Sequence, residues 1–329
     1  MKRIAINGFG RIGRAALKVI ISTPQLEVVA INDLMSIENA AYLFKYDSVY
    51  GMCKNNIIIR DNYLLIDDKK ILFLNKKDPA NLPWKSLNID VVIESTGLFT
   101  KKEDAEKHIL AGAKIVVISA PTKSKDTPTV LHGVNTLDEK KSIFSCASCT
   151  TNNIGPVMEI IDRRIGIKKA ILNTIHSFTA SQSLVDAPSK RDLRMGRSAV
   201  MNLVPASTGA AIATIKALPQ LEGKFDGVAV RTPVPVGSIS DITFVAARNT
   251  SVAEINNILI EESKTDRYKL VLATSNEPLV SSDIIQNPFA SIVDLAMTRV
   301  VDGDLVKIMT WYDNEWGFTN QMIREIQLI

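Results

Sequence analysis

Apolar residues recur along this chain in two alternating rhythms. Residues 2–7 (Lys-Arg-Ile-Ala-Ile-Asn) form a short apolar run, the pattern of a buried strand. Over residues 11–22, Ile12, Ala15, Ala16, Val19 and Ile20 return at helical spacing. Residues 26–32 read as strand again. A strand, a turn, a helix and a second strand within about 30 residues predict a βαβ unit with parallel strands. The alternation resumes with apolar strands at 89–95 and 114–119 and a helix at 101–111 between them. The first ~145 residues therefore read as a doubly wound α/β domain.

The second half has another rhythm. Residues 170–176, 224–231, 239–247 and 304–311 are longer, β-branched strand patterns, while 209–218 and 252–262 are helical. Strands with segregated helices predict an α+β domain with a mixed or antiparallel sheet. Residues 177–200 are polar, basic and without periodicity, and a loop that long inside a domain is usually functional. The tail from 315 to 329 predicts a closing helix. The expected division is 1–148 for the first domain and 149–312 for the second, with a helix from about 313 to 329 returning to the first.

Composition narrows the class. The chain has 329 residues, 46% hydrophobic and 22% charged, with a net charge of +4. That mixture excludes a disordered chain and gives little electrostatic footprint for nucleic acid. No apolar run reaches the ~18 residues of a membrane span. The basic start Met1-Lys2-Arg3 is followed by Asn7, Gly8, Gly10 and Arg11 rather than an apolar stretch, so no signal peptide is expected and the chain reads as cytoplasmic. Three cysteines (Cys53, Cys146, Cys149) and three scattered histidines suit neither a disulfide framework nor a structural metal site.

Asn7-Gly8-Phe9-Gly10-Arg11-Ile12-Gly13 is a G-x-G-x-x-G that follows a strand and opens a helix, the context of the Rossmann dinucleotide fingerprint. Gly8 permits the tight turn, Gly10 lets backbone approach a pyrophosphate, and Gly13 permits close helix–strand packing. The N–H groups near Gly10, Arg11 and Ile12 would meet the phosphates. Asp33 ends the second strand. Its carboxylate suits a ribose and repels a 2′-phosphate, so NAD is expected.

Ser145-Cys146-Ala147-Ser148-Cys149-Thr150-Thr151 ends a strand, and helical residues follow from about Thr150. Cys149 would then sit at a helix N-terminus, where the dipole should lower its pKa. His176 closes another strand 27 residues on and could activate the thiol. A lone cysteine is equally a small buried hydrophobe, and a lone histidine equally structural, so spacing alone leaves both readings open.

Longer motifs close that choice. Ala147-Ser148-Cys149-Thr150-Thr151-Asn152, Thr174-Ile175-His176, Pro205-Ala206-Ser207-Thr208-Gly209-Ala210-Ala211, Glu277-Pro278-Leu279-Val280-Ser281-Ser282-Asp283 and Trp311-Tyr312-Asp313-Asn314-Glu315-Trp316-Gly317 resemble phosphorylating glyceraldehyde-3-phosphate dehydrogenase, over essentially the whole chain. The resemblance implies a glycolytic oxidoreductase that turns D-glyceraldehyde 3-phosphate into 1,3-bisphosphoglycerate through a Cys149 thiohemiacetal and thioester, with His176 as acid and base. It implies Thr179 and Arg231 around the substrate phosphate, and Ser148, Thr150, Thr208 and Gly209 around the attacking phosphate. For the cofactor it implies Lys77 on the adenine side, Ser119 at a strand end and Asn314 on the nicotinamide carboxamide. It also implies a homotetramer, with the 177–200 loop near a neighbour's cofactor. Hydroxyls and N–H groups at helix starts are reasonable phosphate ligands, although Thr150 and Thr208 also read as ordinary helix caps.

Some positions depart from the family pattern. Cys146 stands where Asn is common and Asn153 where Cys is common, which creates a C-x-x-C; a peroxide-driven Cys146–Cys149 disulfide is a subsidiary reading. Lys77 replaces a common Arg, and Met195 replaces a charged residue. Ala187-Pro188 replaces Leu-Pro and leaves room near the ribose 2′ position, so some NADP tolerance is expected. The alternatives are a hydrolytic erythrose-4-phosphate dehydrogenase and a dinucleotide- or RNA-binding module. No dedicated nucleic-acid motif is visible.

Overall fold

The chain opens with β1 (Lys2–Asn7), α1 (Arg11–Ile21) and β2 (Leu26–Asn32), and β1 and β2 pair in parallel. The computed structural model describes residues 1–138, 140–189 and 192–329. α1 buries Gly13, Ala15, Ala16, Leu17 and Ile20. Gly13 is required there, since a Cβ at that position would lie 2.1 Å from Gly8 O.

Next come α2 (Ile37–Lys45) and an antiparallel meander of β3 (Ile57–Arg60), β4 (Tyr63–Ile66) and β5 (Lys69–Leu74). None of these four elements is expected from the apolar rhythm. The meander strands are short, and their hairpins turn on Asp61 and Asp67 at φ 52° and 49°, a conformation that aspartate tolerates better than most residues. β6 (Val91–Glu94), α3 (Lys102–Leu110), β7 (Ile115–Ile118) and β8 (Ile143–Ser145) complete an eight-stranded sheet of order β3-β4-β5-β2-β1-β6-β7-β8. The chain leaves β1 on the β2 side and returns on the β6 side, so the C-terminal ends of β1 and β6 form a topological switch point, where such sheets hold ligands.

The rest of the chain gives α4 (Cys149–Arg164), β9 (Ile167–Ser177), β10 (Val204–Ser207), α5 (Ala210–Ala217), β11 (Phe225–Thr232) and β12 (Ser238–Ala246). These are followed by α6 (Val252–Ser263), β13 (Leu272–Ser275), β14 (Ser291–Val301), β15 (Leu305–Tyr312) and α7 (Trp316–Leu328). The seven-stranded sheet has the order β10-β11-β9-β12-β15-β14-β13. It is mixed, because β9 runs parallel to β11 and antiparallel to β12. β14 lies outside the expected strands; its outer half, Ala296 to Val301, is largely open to solvent and carries no continuous apolar pattern.

Two compact units result. One holds Met1–Val130, Leu137–Ala147 and Met322–Ile329; the other holds Leu131–Thr136 and Ser148–Gln321. Within the first, Lys2 Nζ donates to the carbonyls of Ile326 (2.9 Å) and Gln327 (3.1 Å). Among the described residues, no helix is long and apolar enough to cross a membrane.

Gly13→Ala should destabilise the chain by about 1–3 kcal/mol, the usual cost of forcing a methyl into packed backbone. A urea midpoint equal to that of the wild type would show that α1 does not rest on β1 as described.

Candidate active site

In the first unit a cleft of about 650 Å³ opens at the switch point, lined by Asn7, Gly8, Gly10, Asn32, Asp33, Leu34, Lys77, Thr96 and Phe99 among others. Gly8 turns the chain at φ +97°. Gly10 is the N-cap of α1, makes no side-chain cap, and would direct a Cβ into open space. No side chain caps the start of α1, an arrangement that suits a pyrophosphate at a helix N-terminus. Asp33 is fixed by Phe9 N–H at 2.6 Å and Met35 N–H at 3.0 Å, with its carboxylate on the cleft. These residues fit a dinucleotide. The Arg11 guanidinium pairs with Asp47 at 2.8 Å, and Ile12 lies in the same first turn. Ser119 is not among the cleft's lining residues; its N–H donates to Glu94 O.

A buried polar network supports the cleft, and sequence reading missed it. Asn32 donates to Asn7 Oδ1 (2.7 Å), and Asn7 donates to Glu94 Oε2 (2.5 Å). Glu94 also accepts from Thr96 N–H and the Thr96 hydroxyl. Trp84 Nε1–H donates to His108 Nδ1 at 2.9 Å, which places the ring's proton on Nε2, 3.1 Å from Glu94 Oε2. Asn ends both β1 and β2 in the sequence, and that repetition was the available signal.

In the second unit, Ser148 caps α4, with its hydroxyl accepting from Thr151 N–H at 3.1 Å. Cys149 is therefore the first helical residue. The preceding Ala147 sits at φ +58°, a left-handed turn that breaks the chain sharply before the helix. α4 starts with poor helix formers and contains Pro156, yet every residue from Thr150 to Ile161 is buried, so tertiary packing rather than propensity holds it. His176 lies near the end of β9, and its Nε2 is 3.4 Å from Cys149 Sγ. Its Nδ1 has two neighbours at 2.7 Å, Ser177 O and Arg231 Nη1. The parallel register of β9 and β11 pairs Arg231 directly with His176.

Tyr312, at the end of β15, lies 2.8 Å from both Thr150 Oγ1 and Thr174 Oγ1, and its ring meets His176 edge-on at 6.0 Å. Burial pushes its phenol up, which keeps it a neutral hydrogen-bonding group. Asn314 Oδ1 accepts from Ser177 Oγ (2.9 Å), Gly237 N–H (3.2 Å) and Ser238 Oγ (3.3 Å). That arrangement reserves the Asn314 NH₂ as a donor.

The helix start does not win at Cys149. Burial pushes the thiol above its ordinary value, and the Arg231 guanidinium, the Thr150 N–H and hydroxyl and its own N–H pull back less than burial raises. The expectation of a lowered pKa is corrected accordingly: a helix end stabilises charge weakly compared with the cost of enclosing it. His176 is pushed down to about 3, first by burial and then by the Arg231 charge. Cys146 is buried, and its thiol is pushed up by enclosure and by the Glu325 carboxylate.

The phosphate candidates divide. Arg231 lines a hollow of about 570 Å³ with Ser181, Ser183, Ser189, Met195 and Ser207. Thr179 Oγ1 is 2.9 Å from Ser181 Oγ, so that serine, two residues on, joins the candidates. Thr208 accepts from Ala210 N–H at the start of α5, beside Gly209, its N-cap. Thr150 is buried, with its hydroxyl on Tyr312 rather than capping α4. Lys77 lines the dinucleotide cleft. Among the described residues, no cluster of His, Cys, Asp or Glu could hold a metal.

Residues 2–102 match the family model described as glyceraldehyde 3-phosphate dehydrogenase, NAD binding domain, and residues 148–314 match that of its C-terminal domain. The chain is 46% identical over 327 residues to a glyceraldehyde-3-phosphate dehydrogenase of Zymomonas mobilis, covering 98% of this chain and 96% of that protein. It is 44% identical over 333 residues to one of Thermotoga maritima, covering 100% and 99% of the two chains. It is 42% identical over 333 residues to one of Clostridium pasteurianum, covering 99% and 98%.

The lowered His176 pKa carries a stability consequence. The unfolded chain takes up a proton at His176 below about pH 6.5, which the folded chain refuses until about pH 3. This contribution is complete above pH 6.5 and is lost as the pH falls toward 3. The urea midpoint should therefore fall between pH 7 and pH 5, and His176→Asn should flatten that fall. Equal slopes in the two proteins would contradict a neutral buried ring.

Proposed function

The chain belongs to the glyceraldehyde-3-phosphate dehydrogenase family, and from that premise we propose that it oxidises D-glyceraldehyde 3-phosphate to 1,3-bisphosphoglycerate with NAD and inorganic phosphate. The observation that carries this reading is Cys149 Sγ at 3.4 Å from His176 Nε2, at the start of a capped helix. When bound in the cleft, NAD supplies the hydride acceptor. Gly8, Gly10 and the first N–H groups of α1 would hold its pyrophosphate, and Asp33 its ribose.

The chemistry on this chain's residues follows from their neighbours. Sγ of Cys149 attacks the aldehyde carbon while His176 takes the thiol proton. The oxyanion formed can be met by the Cys149 N–H, which α4 leaves without an intrahelical partner, and by the His176 ring. His176 returns that proton to the oxyanion, giving the thiohemiacetal hydroxyl, and takes it back as the thiohemiacetal becomes a thioester. Phosphate then attacks the acyl carbon and Cys149 departs as thiolate. Arg231 and Thr179, with Ser181, are assigned to the substrate phosphate. Ser148, Thr208 and Gly209 are assigned to the attacking one, with Thr150 supporting through Tyr312. Asn314 is assigned to the carboxamide and Lys77 to the adenine side.

The domain division belongs to the same proposal, with residues 1–148 and the closing helix for cofactor and 149–312 for catalysis. So do a cytoplasmic setting and a homotetramer. Exposed Leu184, Val185, Leu193 and Met201 in and beside the 177–200 loop, and Ile171 and Val228 on the second sheet, suit surfaces covered by further copies. Neither erythrose 4-phosphate nor RNA binding is favoured, since the relatives carry the glyceraldehyde-3-phosphate dehydrogenase name along nearly their whole length.

NADH formation at 340 nm should require phosphate, with a burst that stalls without it. Cys149→Ser should lower kcat by ~10³-fold or more. Phosphate-independent turnover, or a fully active serine variant, would refute the mechanism. The Asp33 carboxylate should also hold kcat/KM for NAD above that for NADP, and equality would refute that assignment.

A further inference from the structure

Glu94 is a buried carboxylate that the chemistry above does not use. It ends β6, and its side chain is 1% exposed. Donors surround both of its oxygens. Oε2 accepts from Asn7 Nδ2 at 2.5 Å and faces His108 Nε2 at 3.1 Å. Oε1 accepts from Thr96 N–H at 2.9 Å and from the Thr96 hydroxyl. The direction of these bonds is fixed from outside. Lys76 N–H donates to Asn32 Oδ1, and Lys76 O accepts from Asn32 Nδ2. Asn32 therefore turns its NH₂ to Asn7 Oδ1, and Asn7 turns its own NH₂ to Glu94. Trp84 Nε1–H occupies His108 Nδ1, which leaves the ring proton on Nε2. A protonated Glu94 would carry a donor with nothing to receive it, so the group is a carboxylate. Among the described residues, no lysine or arginine pairs with it.

This charge stands behind the place assigned to a pyrophosphate. Glu94 itself does not line the cleft. The Gly8 turn does, and it lies directly against the Ser95–Thr96 peptide: a Cβ on Gly8 would stand 2.5 Å from Thr96 N and 2.6 Å from Ser95 C. Thr96 N–H is the donor that Glu94 holds. Ser95 Oγ donates to Gly8 O at 2.6 Å, and Ser95 N–H donates to Asn7 O at 2.8 Å. On the cleft side, Asp33 Oδ2 takes the Phe9 N–H at 2.6 Å. The turn is thus held between two carboxylates, Asp33 in front and Glu94 one peptide behind. The Glu94 charge is costly to bury and repels an anion. What it offers in return is acceptance of all four donors.

We propose that Glu94 is a positioning residue for the cofactor: through Thr96 and Asn7 its carboxylate sets the backbone against which the Gly8 turn rests, and so shapes the pyrophosphate site before a dinucleotide arrives. This rests on the reading of that cleft as the NAD site. A full carboxylate is required, because every neighbour donates. Gln in its place has the right length. Whichever way its amide turns, its NH₂ meets donors, either those of Asn7 and His108 or the two of Thr96.

Charge and position act with opposite signs in Glu94→Gln. Removing a negative charge behind the pyrophosphate should tighten NAD. Releasing the turn should weaken it. The dissociation constant for NAD is measured by isothermal titration calorimetry on the full chain. The Gln variant is expected to bind about tenfold more weakly or worse. Its KM for NAD should move in step, with kcat at saturating NAD within about twofold of the wild type. Unchanged or tighter binding by a folded variant overturns the proposal. Weaker binding with an equal fall in kcat marks general loosening and overturns it too. The wild-type chain gives a second readout. Hydrogen exchange, followed by mass spectrometry in the peptide carrying Thr96, should show its N–H protected without ligand, with little added by NAD. Free exchange there until NAD is added overturns the proposal, whether or not the variant folds. Turnover on the same preparations separates the two readings. NADH formation from glyceraldehyde 3-phosphate with unchanged NAD affinity in the variant overturns the role of Glu94 and leaves the dehydrogenase standing. Weakened NAD binding in the variant, with no NADH formed by the wild type, supports Glu94 and overturns the dehydrogenase.

Discussion

The chemistry of this chain hangs on 3.4 Å between a helix start and a strand end. Neither end is free to shift. Side chains alternate along β9, so Leu172, Thr174 and His176 share the buried face while Ile171 is exposed and Asn173 and Ile175 are half-buried. A slip of one residue would turn His176 away from Cys149 and take Thr174 from Tyr312. β9 is paired on both sides, with β11 and with β12, and the β12–β15 register sets Tyr312 opposite Ser238. Tyr312 then reaches back to Thr150 in the first turn of α4. Helix start and strand end are thus tied through one phenol.

Enclosure at this meeting point works against charge on either partner. Separating charge inside an enclosed site costs several kcal/mol per ion unless it is well paired. The Arg231 guanidinium helps a thiolate but opposes an imidazolium, so its effect on the pair partly cancels.

The two halves of this arrangement were unequally legible in the sequence. The G-x-G-x-x-G turn is local: three glycines and a carboxylate meet within some 30 residues, and the structure places Gly8, Gly10 and Asp33 on one cleft. Cys149 at a helix start was legible for the same reason. Its partner was legible through motif resemblance, since no spacing rule brings residue 176 to residue 149. The Arg231–His176 contact was not legible, because it follows from the register of two strands 55 residues apart. Burial was not legible either, and it reverses the expected direction at Cys149. Among the elements, β1, α1, β2 and β9 follow strong apolar periodicity. The β3–β5 meander went unread although its strands are short apolar runs set between Asn and Asp turns, whereas the outer half of β14, largely open to solvent, carries no continuous apolar pattern.

The cofactor cleft solves a different problem from the nucleophile's. The strand ends that build a switch point must be polar enough to meet a ligand yet stay in a tightly packed sheet. Buried polar groups are destabilising unless each finds a partner. Asn32, Asn7, Glu94, His108 and Trp84 answer this by bonding in series, from β2 through β1 and β6 to α3 and the segment before β6. Asn32 Oδ1 continues the series outward by accepting from Lys76 N–H at 2.8 Å, beside Lys77 on the cleft wall. Hydrogen bonds are directional where apolar contacts are not, so the series fixes the strand ends relative to one another more tightly than packing alone would. A mobile dinucleotide is then met by a wall already in place, and little binding energy is lost in ordering the protein.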